Sequence, residues 1–235
     1  RDSSTSRGLG DVYKRQMYNR ETGFDMVYQE NKVFNLKLAA ATLDRLLIRP
    51  GETFSFWRLV RYADRKTPYR DGLAEVNGKL TVQPGGGLCQ LSNLLFWMFL
   101  HTPLTLIERH GHRIKDFPEP PSDAPLGVDA TVAEGWLDLR VRNDTEITFQ
   151  ITVTLEGDAI TGRVSTDREL GLRYEAVNEN LVYTRQSGAV YEEVDVVQRA
   201  MDSATGICVS TRNMYRNRCE IGYRLPAGTV IQEKG

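Results

Sequence analysis

A glycine-rich turn that leads directly into an apolar run constrains this chain more than any other feature. Residues 83–92 read Gln-Pro-Gly-Gly-Gly-Leu-Cys-Gln-Leu-Ser, and over residues 91–100 only Ser92 and Asn93 are polar. Glycine permits the sharp turn and the close backbone approach that such a junction needs. A helix with no polar face must be buried, and this run is far shorter than the roughly 20 apolar residues that cross a bilayer. The pattern therefore predicts a buried helix in a protein core.

Cys89 lies where the first turn of this helix is predicted to begin, among backbone amides that have no acceptor within the helix. The positive end of the helix dipole favours a thiolate, and such positions lower the pKa of a thiol from about 8.5 to roughly 3.5–7.5. Free amides around Cys89 and Gln90 would also hold an oxyanion. The position predicts a nucleophilic cysteine, and the alternative is a small apolar side chain buried under the turn.

Length, charge and cysteine content bound the class of protein. The 235 residues are 40% hydrophobic, which suffices for one core, or for one core and a small second unit. The formal net charge of −1 argues against a protein that coats nucleic acid or an anionic membrane, so we expect no nucleic-acid partner. Cys89, Cys208 and Cys219 are too far apart for a disulfide framework or a zinc knuckle. At most Cys208 and Cys219 could pair.

Residues 1–16 show no hydrophobic periodicity and have the character of translated adapter sequence. We therefore predict that they are not native and exclude them from the interpretation of the fold. On this interpretation the native start of the polypeptide is missing, and the sequence leaves localisation open between the cell envelope and the cytoplasmic face of the membrane. It leaves the oligomeric state open as well.

Hydrophobic periodicity predicts an α+β fold, in which an antiparallel sheet with a buried central helix is followed by a β-rich C-terminal extension. We divide the chain into the adapter-like residues 1–16, a main domain of residues 17–145 and the extension of residues 146–235. Before the central helix, the sequence predicts a helix capped by Asn35 and stopped at Pro50-Gly51, a strand at 53–57, and a hairpin of 73–76 and 79–82 around Asn77-Gly78. After it, strands are predicted at 103–112 and 127–132, with a Pro-rich loop at 117–125 between them. A meander of 136–141, 147–155 and 159–165 follows, and then strands at 180–184, 189–197 and 206–215.

The segment after the central helix carries the residue types of an acid–base site. On a strand, side chains alternate between two faces, so Glu108, His110 and His112 are predicted on one face and Arg109 on the other. Asp129 is predicted on the following strand. A helix-borne cysteine, then a histidine, then an aspartate is the order found in transglutaminase-like Cys-His-Asp sites, a comparison that rests on analogy.

Four motifs in order resemble the VanW family: residues 50–56 (PGETFSF), residues 85–92 (GGGLCQLS), Glu108-Arg109 with His112 three residues on, and residues 129–132 (DATV). The resemblance implies a family domain over about residues 31–143, a cell-wall context and a role in glycopeptide (vancomycin) resistance. Some larger VanW-domain proteins are similar to L,D-transpeptidases in activity, and join peptidoglycan stem peptides through a cysteine that corresponds here to Cys89.

The first hypothesis is therefore a cysteine acyltransferase that acts on peptidoglycan precursors or stem peptides and needs no cofactor. Cys89 is the predicted nucleophile, His112 the general base, and Asp129 the residue that orients His112. The predicted substrate-binding residues are Gly86, Gly87, Gln90, Ser92 and Arg109. For Arg109, a structural salt bridge is the alternative to binding a stem-peptide carboxylate.

Two further hypotheses remain open at this point. In the second hypothesis the protein is a binding and regulatory module that recognises cell-wall precursors without chemistry, and Cys89 is only a packing residue. In the third hypothesis Cys89, His110 and His112 form a zinc site, although our preferred assignment includes no metal. If His110 is structural, we expect it to hydrogen-bond to Glu108 or to backbone.

Overall fold

The structure, a computed structural model, describes residues 7–8, 12–18, 23–76, 79–116, 118 and 122–234. The predicted turn at residues 77–78, and parts of the adapter-like segment and of the Pro-rich loop, lie outside the described residues. The helices are α1 (Met26–Leu43), α2 (Phe56–Val60) and α3 (Leu88–Phe99). The strands are β1 (Arg7–Gly8), β2 (Tyr13–Gln16), β3 (Leu46–Ile48), β4 (Thr53–Ser55), β5 (Asp71–Val76), β6 (Lys79–Pro84), β7 (Thr105–Glu108), β8 (Ile114–Lys115), β9 (Arg140–Arg142), β10 (Phe149–Glu156), β11 (Ala159–Thr166), β12 (Leu172–Gln186), β13 (Ala189–Asp202), β14 (Cys208–Ile221) and β15 (Ile231–Glu233).

The described strands form three larger sheets and the hairpin β5–β6. The first sheet has the order β1-β11-β10-β3, with β2 also paired to β11, and the second has the order β15-β12-β13-β14-β8. The third has the order β4-β9-β7. Neighbouring strands are antiparallel except for β15 on β12 and β8 on β14. The predicted α+β class is confirmed, because antiparallel sheets are combined with a few helices.

Helix α3 is the buried helix that the glycine-rich turn predicts. The side chains of Leu91, Leu94, Leu95 and Met98 are completely buried. Helix α3 lies directly on strand β11 at Gly162, where a Cβ atom would come within 2.2 Å of the Met98 sulfur. The missing side chain at Gly162 therefore allows the helix to approach the first sheet closely. None of the helices in the described ranges has the length and apolar character needed to span a membrane.

Helix α1 begins nine residues before the predicted cap. It starts at Met26, and the side chain of Asp25 caps it by accepting a hydrogen bond from its first turn. Asn35 lies inside the helix, fully buried, where its amide donates to the carbonyl oxygens of Arg70 and Gly86 at 2.9 and 3.0 Å. Its side-chain oxygen accepts from the Arg70 amide at 2.8 Å. The prediction of Asn35 as a cap is wrong, because this residue bridges α1 to other segments.

The end of α1 and the next strand also differ from the prediction. The helix ends at Leu43, and Leu46–Ile48 forms β3, which pairs with β10. Arg45 has a φ of 60°, outside the helical region, so the helix cannot continue through it. The strand predicted at residues 53–57 ends at Ser55, whose hydroxyl accepts a hydrogen bond from the backbone of α2 and caps that helix.

Strands near the candidate site are shorter than predicted. The strand expected over residues 103–112 ends at Glu108, and residues 127–132 form no strand. An irregularity between Leu106 and Glu108 interrupts the pairing of β7 with β9, and beyond Glu108 the His110 carbonyl accepts a hydrogen bond from the Thr131 amide at 2.7 Å. Strand β9 pairs with β4 and β7, so the predicted meander is reduced to the hairpin β10–β11.

The C-terminal extension is β-rich, as predicted, and its strands β12, β13 and β14 are long, with 15, 14 and 14 residues. Cys208 and Cys219 both lie on β14, and no disulfide joins them. Eleven residues of extended strand separate their backbones by roughly 36 Å, which excludes a bond between them. A disulfide between them, which the sequence left open, is therefore excluded.

Strand β2 lies in the segment that the sequence predicts to be adapter-like. It pairs with β11, with Tyr13 opposite Gly162, and both Tyr13 and Met17 are buried in the core. The structure thus includes these residues in the first sheet. Their non-native origin stays a prediction.

Candidate functional site

A cavity of about 600 Å³ opens beside α3. Its wall combines side chains of β2, β5, α3 and β8 with His112, which precedes β8, and with residues of the segment between β8 and β9. The lining residues are Lys14, Arg15, Gln16, Glu75, Gln90, Asn93, Trp97, His112, Lys115, Ser122, Asp123, Ala124, Val128 and Asp129. Two of the three predicted catalytic residues, His112 and Asp129, therefore face one cavity. The third, Cys89, lies next to the lining residue Gln90 in the first turn of α3.

His112 and Asp129 form a hydrogen-bonded pair. The Nδ1 atom of His112 lies 2.6 Å from Asp129 Oδ2, and the His112 backbone amide donates to the same oxygen at 2.7 Å. Because Nδ1 is held by a carboxylate, Nε2 is the ring nitrogen left for other contacts. The contact is the one that the predicted orientation of His112 by Asp129 requires, although neither residue lies in a strand, and the catalytic roles of the two residues stay predictions.

Arg109 contacts the other side of Asp129. Its side chain forms a salt bridge with the Asp129 carboxylate and donates to the Asp129 and Gly127 carbonyl oxygens at 2.5 and 2.9 Å. It also donates to Asn217 at 2.9 Å and stacks over the ring of Tyr215. The prediction that Arg109 and His112 face opposite sides is wrong, because the strand ends before both residues. The guanidinium is occupied by groups of the protein, as in the structural alternative.

The electrostatics of the pair favour a charged histidine and a charged aspartate. Burial acts to raise the pKa of Asp129, but the hydrogen bond from His112 and the charge of Arg109 outweigh it and hold that pKa below its ordinary value. Burial acts to lower the pKa of His112, but the hydrogen bond and charge of Asp129, with a contribution from Glu75, raise it. His112 is therefore a stronger base than a histidine in water.

Cys89 is half-buried, and its thiol points to a backbone acceptor. The sulfur donates to the Val132 carbonyl oxygen at 3.5 Å, and in the described structure no hydrogen bond joins it to His112. Burial raises the pKa of the Cys89 thiol, and the charges of Glu75 and Asp129 raise it further. The expectation of a lowered pKa is thus wrong in direction, because a thiolate here would lose hydration and face two carboxylates. The assignment of Cys89 as nucleophile stays a prediction.

Gln90 and Ser92 contribute mainly to the structure of the turn. The Gln90 backbone amide donates to the Gly87 carbonyl at 2.9 Å, so it is not available for an oxyanion as predicted. Ser92 is completely buried and donates to the carbonyl oxygens of Ala130 and Cys89 at 2.5 and 3.0 Å. The Gln90 side chain does line the cavity, and its Oε1 atom has no hydrogen-bond partner among the described residues.

The predicted substrate-binding glycines lie against other parts of the protein. A Cβ atom on Gly86 would come within 2.1 Å of the Gly72 backbone on β5. Gly87 has a φ of 99° and caps α3, and a Cβ atom there would come within 2.1 Å of the Lys32 side chain. The close approach that the sequence predicts is therefore an approach to β5 and α1. Neither glycine lines the cavity.

His110 is separate from the pair. Its Nε2 atom lies 3.0 Å from Glu108 Oε1, which confirms the expected contact of a structural histidine. Among the described residues, no group of three or more His, Cys, Asp or Glu side chains is arranged to hold a metal ion. The zinc site of Cys89, His110 and His112 is therefore wrong, because the end of β7 at Glu108 turns the two histidines to different partners.

Glu75 is a residue of the site that sequence reasoning missed. It lines the cavity from β5, and its Oε1 atom lies 3.9 Å from His112 Nε2. Burial raises the pKa of Glu75. The charge of His112 acts to lower this pKa, and the charge of Asp129 acts to raise it. The Asn-Gly signal correctly predicts the hairpin that carries Glu75, but no local signal indicates which side of the hairpin meets the cavity.

Comparison with known protein families gives a match over more than half of the chain. Residues 31–165 match the family described as VanW like protein. This range contains Cys89, His112, Asp129 and Glu75. No solved structure matches the chain.

Two curated proteins are similar in sequence. The chain is 58% identical over 217 residues to the vancomycin B-type resistance protein VanW of Enterococcus faecalis (strain ATCC 700802 / V583), which covers 92% of this chain and 79% of that protein. It is 33% identical over 114 residues to the uncharacterized protein YoaR of Bacillus subtilis (strain 168), which covers 48% of this chain and 36% of that protein.

Proposed function

The chain belongs to the VanW family, and on that basis we propose that it is an accessory protein of glycopeptide resistance that acts on cell-wall peptides. The similarity to a protein named for vancomycin resistance extends over nearly the whole chain, which supports a shared role. Deleting the gene in its host and measuring the vancomycin concentration that stops growth tests this role. An unchanged concentration would contradict it.

We propose that the cavity is the site of a cysteine acyltransferase that uses peptidoglycan stem peptides. The observation that carries this proposal is the pair of His112 and Asp129, which faces the cavity at the end of α3 that bears Cys89. Cys89 gives its proton to His112 and attacks a peptide carbonyl, the C–N bond breaks as His112 passes that proton to the departing amine, and a thioester forms. An amine or water then takes the acyl group from the sulfur.

In this proposal His112 is the general base for the thiol. Asp129 fixes Nδ1, so Nε2 of the neutral ring is the atom that removes the proton, and the raised pKa of His112 makes this neutral form a stronger base. A base is needed here because the raised pKa keeps Cys89 protonated at rest. The thiol has to rotate away from the Val132 carbonyl before it reacts. The Cys89 amide remains as a candidate donor to the oxyanion, since the Gln90 amide is occupied.

A second function is favoured by a different observation. The thiol is neutral, half-buried and hydrogen-bonded to the Val132 carbonyl, which is the environment of an unreactive cysteine. In this alternative the cavity binds a stem peptide or a precursor without chemistry, and Cys89 only packs. The cavity and its charged lining serve both functions.

Intact-protein mass spectrometry after incubation with stem tetrapeptides distinguishes the two. The acyltransferase gains the mass of an acyl group, and the Cys89→Ala variant does not. The binding module shows saturable binding by calorimetry with no mass added to Cys89. A double Cys208→Ser, Cys219→Ser variant is the matched control, because it retains Cys89 as the only cysteine.

A further inference from the structure

Glu75 places a second carboxylate against the catalytic histidine. Its Oε1 atom lies 3.9 Å from His112 Nε2, on the side of the ring opposite the Asp129 contact. Within the part of the chain that the structure describes, His112 is the one basic side chain in ion-pair range of Glu75. Lys115, another cation of the cavity wall, is paired with Glu192 at 2.9 Å. Glu75 therefore has capacity for a further cation.

This carboxylate does not help the thiol. Its negative charge raises the pKa of Cys89, which opposes thiolate formation. Asp129 already orients the ring through Nδ1, so a second carboxylate is not required for positioning either. A role in the later half of the reaction, after the thioester has formed, accounts for a carboxylate at this place.

We propose that Glu75 binds and deprotonates the amine that accepts the acyl group, an inference that rests on the acyltransferase function proposed above. The acceptor is a primary amine that arrives as an ammonium ion, and its positive charge complements the negative charge of the Glu75 carboxylate at the cavity wall. Glu75 and His112 Nε2 lie side by side, so one nitrogen placed between them contacts both.

The step balances with these two bases. The ammonium gives one proton to the Glu75 carboxylate, and the resulting neutral amine attacks the thioester carbonyl. The C–N bond forms, the C–S bond breaks, and the nitrogen gives its second proton to His112 Nε2. His112 then returns that proton to the Cys89 thiolate, and Glu75 releases its proton to water in the cavity. The raised pKa of Glu75 makes it a better acceptor than an exposed carboxylate.

The test separates thioester formation from transfer. Wild type and the Glu75→Gln variant are acylated with a stem tetrapeptide, and the thioester is followed by mass spectrometry. The thioester is then offered either glycinamide, whose amine is largely protonated at neutral pH, or hydroxylamine, which is uncharged. We expect Glu75→Gln still to form the thioester and to keep its reaction with hydroxylamine, and to lose roughly 100-fold or more in transfer to glycinamide.

Two further variants make the result specific. Glu75→Asp keeps the charge and should restore part of the glycinamide reaction. Glu134→Gln, which removes a carboxylate from an exposed pair with Arg61 outside the cavity, should behave as wild type. Transfer to glycinamide at the wild-type rate by Glu75→Gln would overturn the inference and leave the acyltransferase intact. An equal loss with both nucleophiles, or a lost thioester, in a folded Glu75→Gln protein would overturn it too. No thioester on wild type would refute the acyltransferase itself.

Discussion

The backbone amide and the Nδ1 atom of His112 both contact one oxygen of Asp129, at 2.7 and 2.6 Å. The carboxylate thus fixes the ring and the chain segment that carries it at the same time. A histidine held in this way keeps the Nδ1–H tautomer and presents Nε2 to the cavity. Most of the functional predictions depend on this pair.

Replacing His112 by Gln should abolish thioester formation, and replacing His110 by Gln should reduce it only modestly. Removing a general base costs typically 100-fold to 10,000-fold in rate, whereas the His110 side chain hydrogen-bonds to Glu108, away from the pair of His112 and Asp129. Mass spectrometry of the acylated protein measures both effects, and circular dichroism checks folding. An active His112→Gln protein would refute the catalytic assignment.

Asp129→Asn should change the dependence of stability on pH. Asp129 has a lowered pKa, so it stabilises the folded protein at pH values above its pKa in the unfolded chain, about 3.9. This stabilisation is lost as the pH falls further, through the pKa of the folded state. His112 has a raised pKa, so its stabilisation of the folded protein is fully present at pH values below its pKa in the unfolded chain, about 6.5. This stabilisation is lost as the pH rises through the pKa of the folded state. The variant should therefore be least stable relative to wild type between about pH 4 and 6.5, by about 3 kcal/mol or more.

Urea unfolding of wild type and Asp129→Asn across a series of pH values measures this difference. Because the substitution also removes the salt bridge with Arg109, part of the loss is expected at every pH above the Asp129 titration. The diagnostic result is a difference that becomes smaller on both sides of the window. A difference that is constant from pH 3 to pH 9 would contradict the assignment of charges.

Gly86→Ala should destabilise the protein, because the new methyl group would meet the Gly72 backbone on a strand that cannot easily move. Overpacking of this kind costs about 1–3 kcal/mol and occasionally more. Gly171→Ala is the matched control, since nothing lies within 4 Å of a Cβ atom at that position. Thermal or urea unfolding compares the two, and equal stabilities would show that the turn can move away from β5.

Replacing both Cys208 and Cys219 by Ser should leave thioester formation intact. Cys208 is exposed and Cys219 is buried on the same strand, and neither lines the cavity. The serine hydroxyl at position 219 enters a buried site, so we expect a loss of about 1–3 kcal/mol in stability without a loss of activity. A folded double variant that no longer forms the thioester would contradict this prediction.

The sequence predicts those parts of the site that are specified by a pattern of a few neighbouring residues. Glycines before an apolar run indicate the turn and α3, and the Asn-Gly pair indicates the hairpin β5–β6. The positions of His112 and Glu75 could not be derived in this way. The first depends on where pairing of β7 stops, and the second depends on how the hairpin packs beside α3. The direction of the Cys89 pKa shift was also out of reach, because it depends on burial and on carboxylates from two other segments.

The buried amide of Asn35 makes the start of α3 depend on a helix far away in the sequence. It holds the carbonyl of Gly86, 51 positions later, together with both backbone groups of Arg70. A displacement of α1 would thus pull on the turn that sets the position of the Cys89 thiol. A shortened protein that begins after α1 would keep every motif residue from the glycine-rich turn onward. It would still lose the hydrogen bonds of Asn35 that hold this turn, and with them the position of the Cys89 thiol.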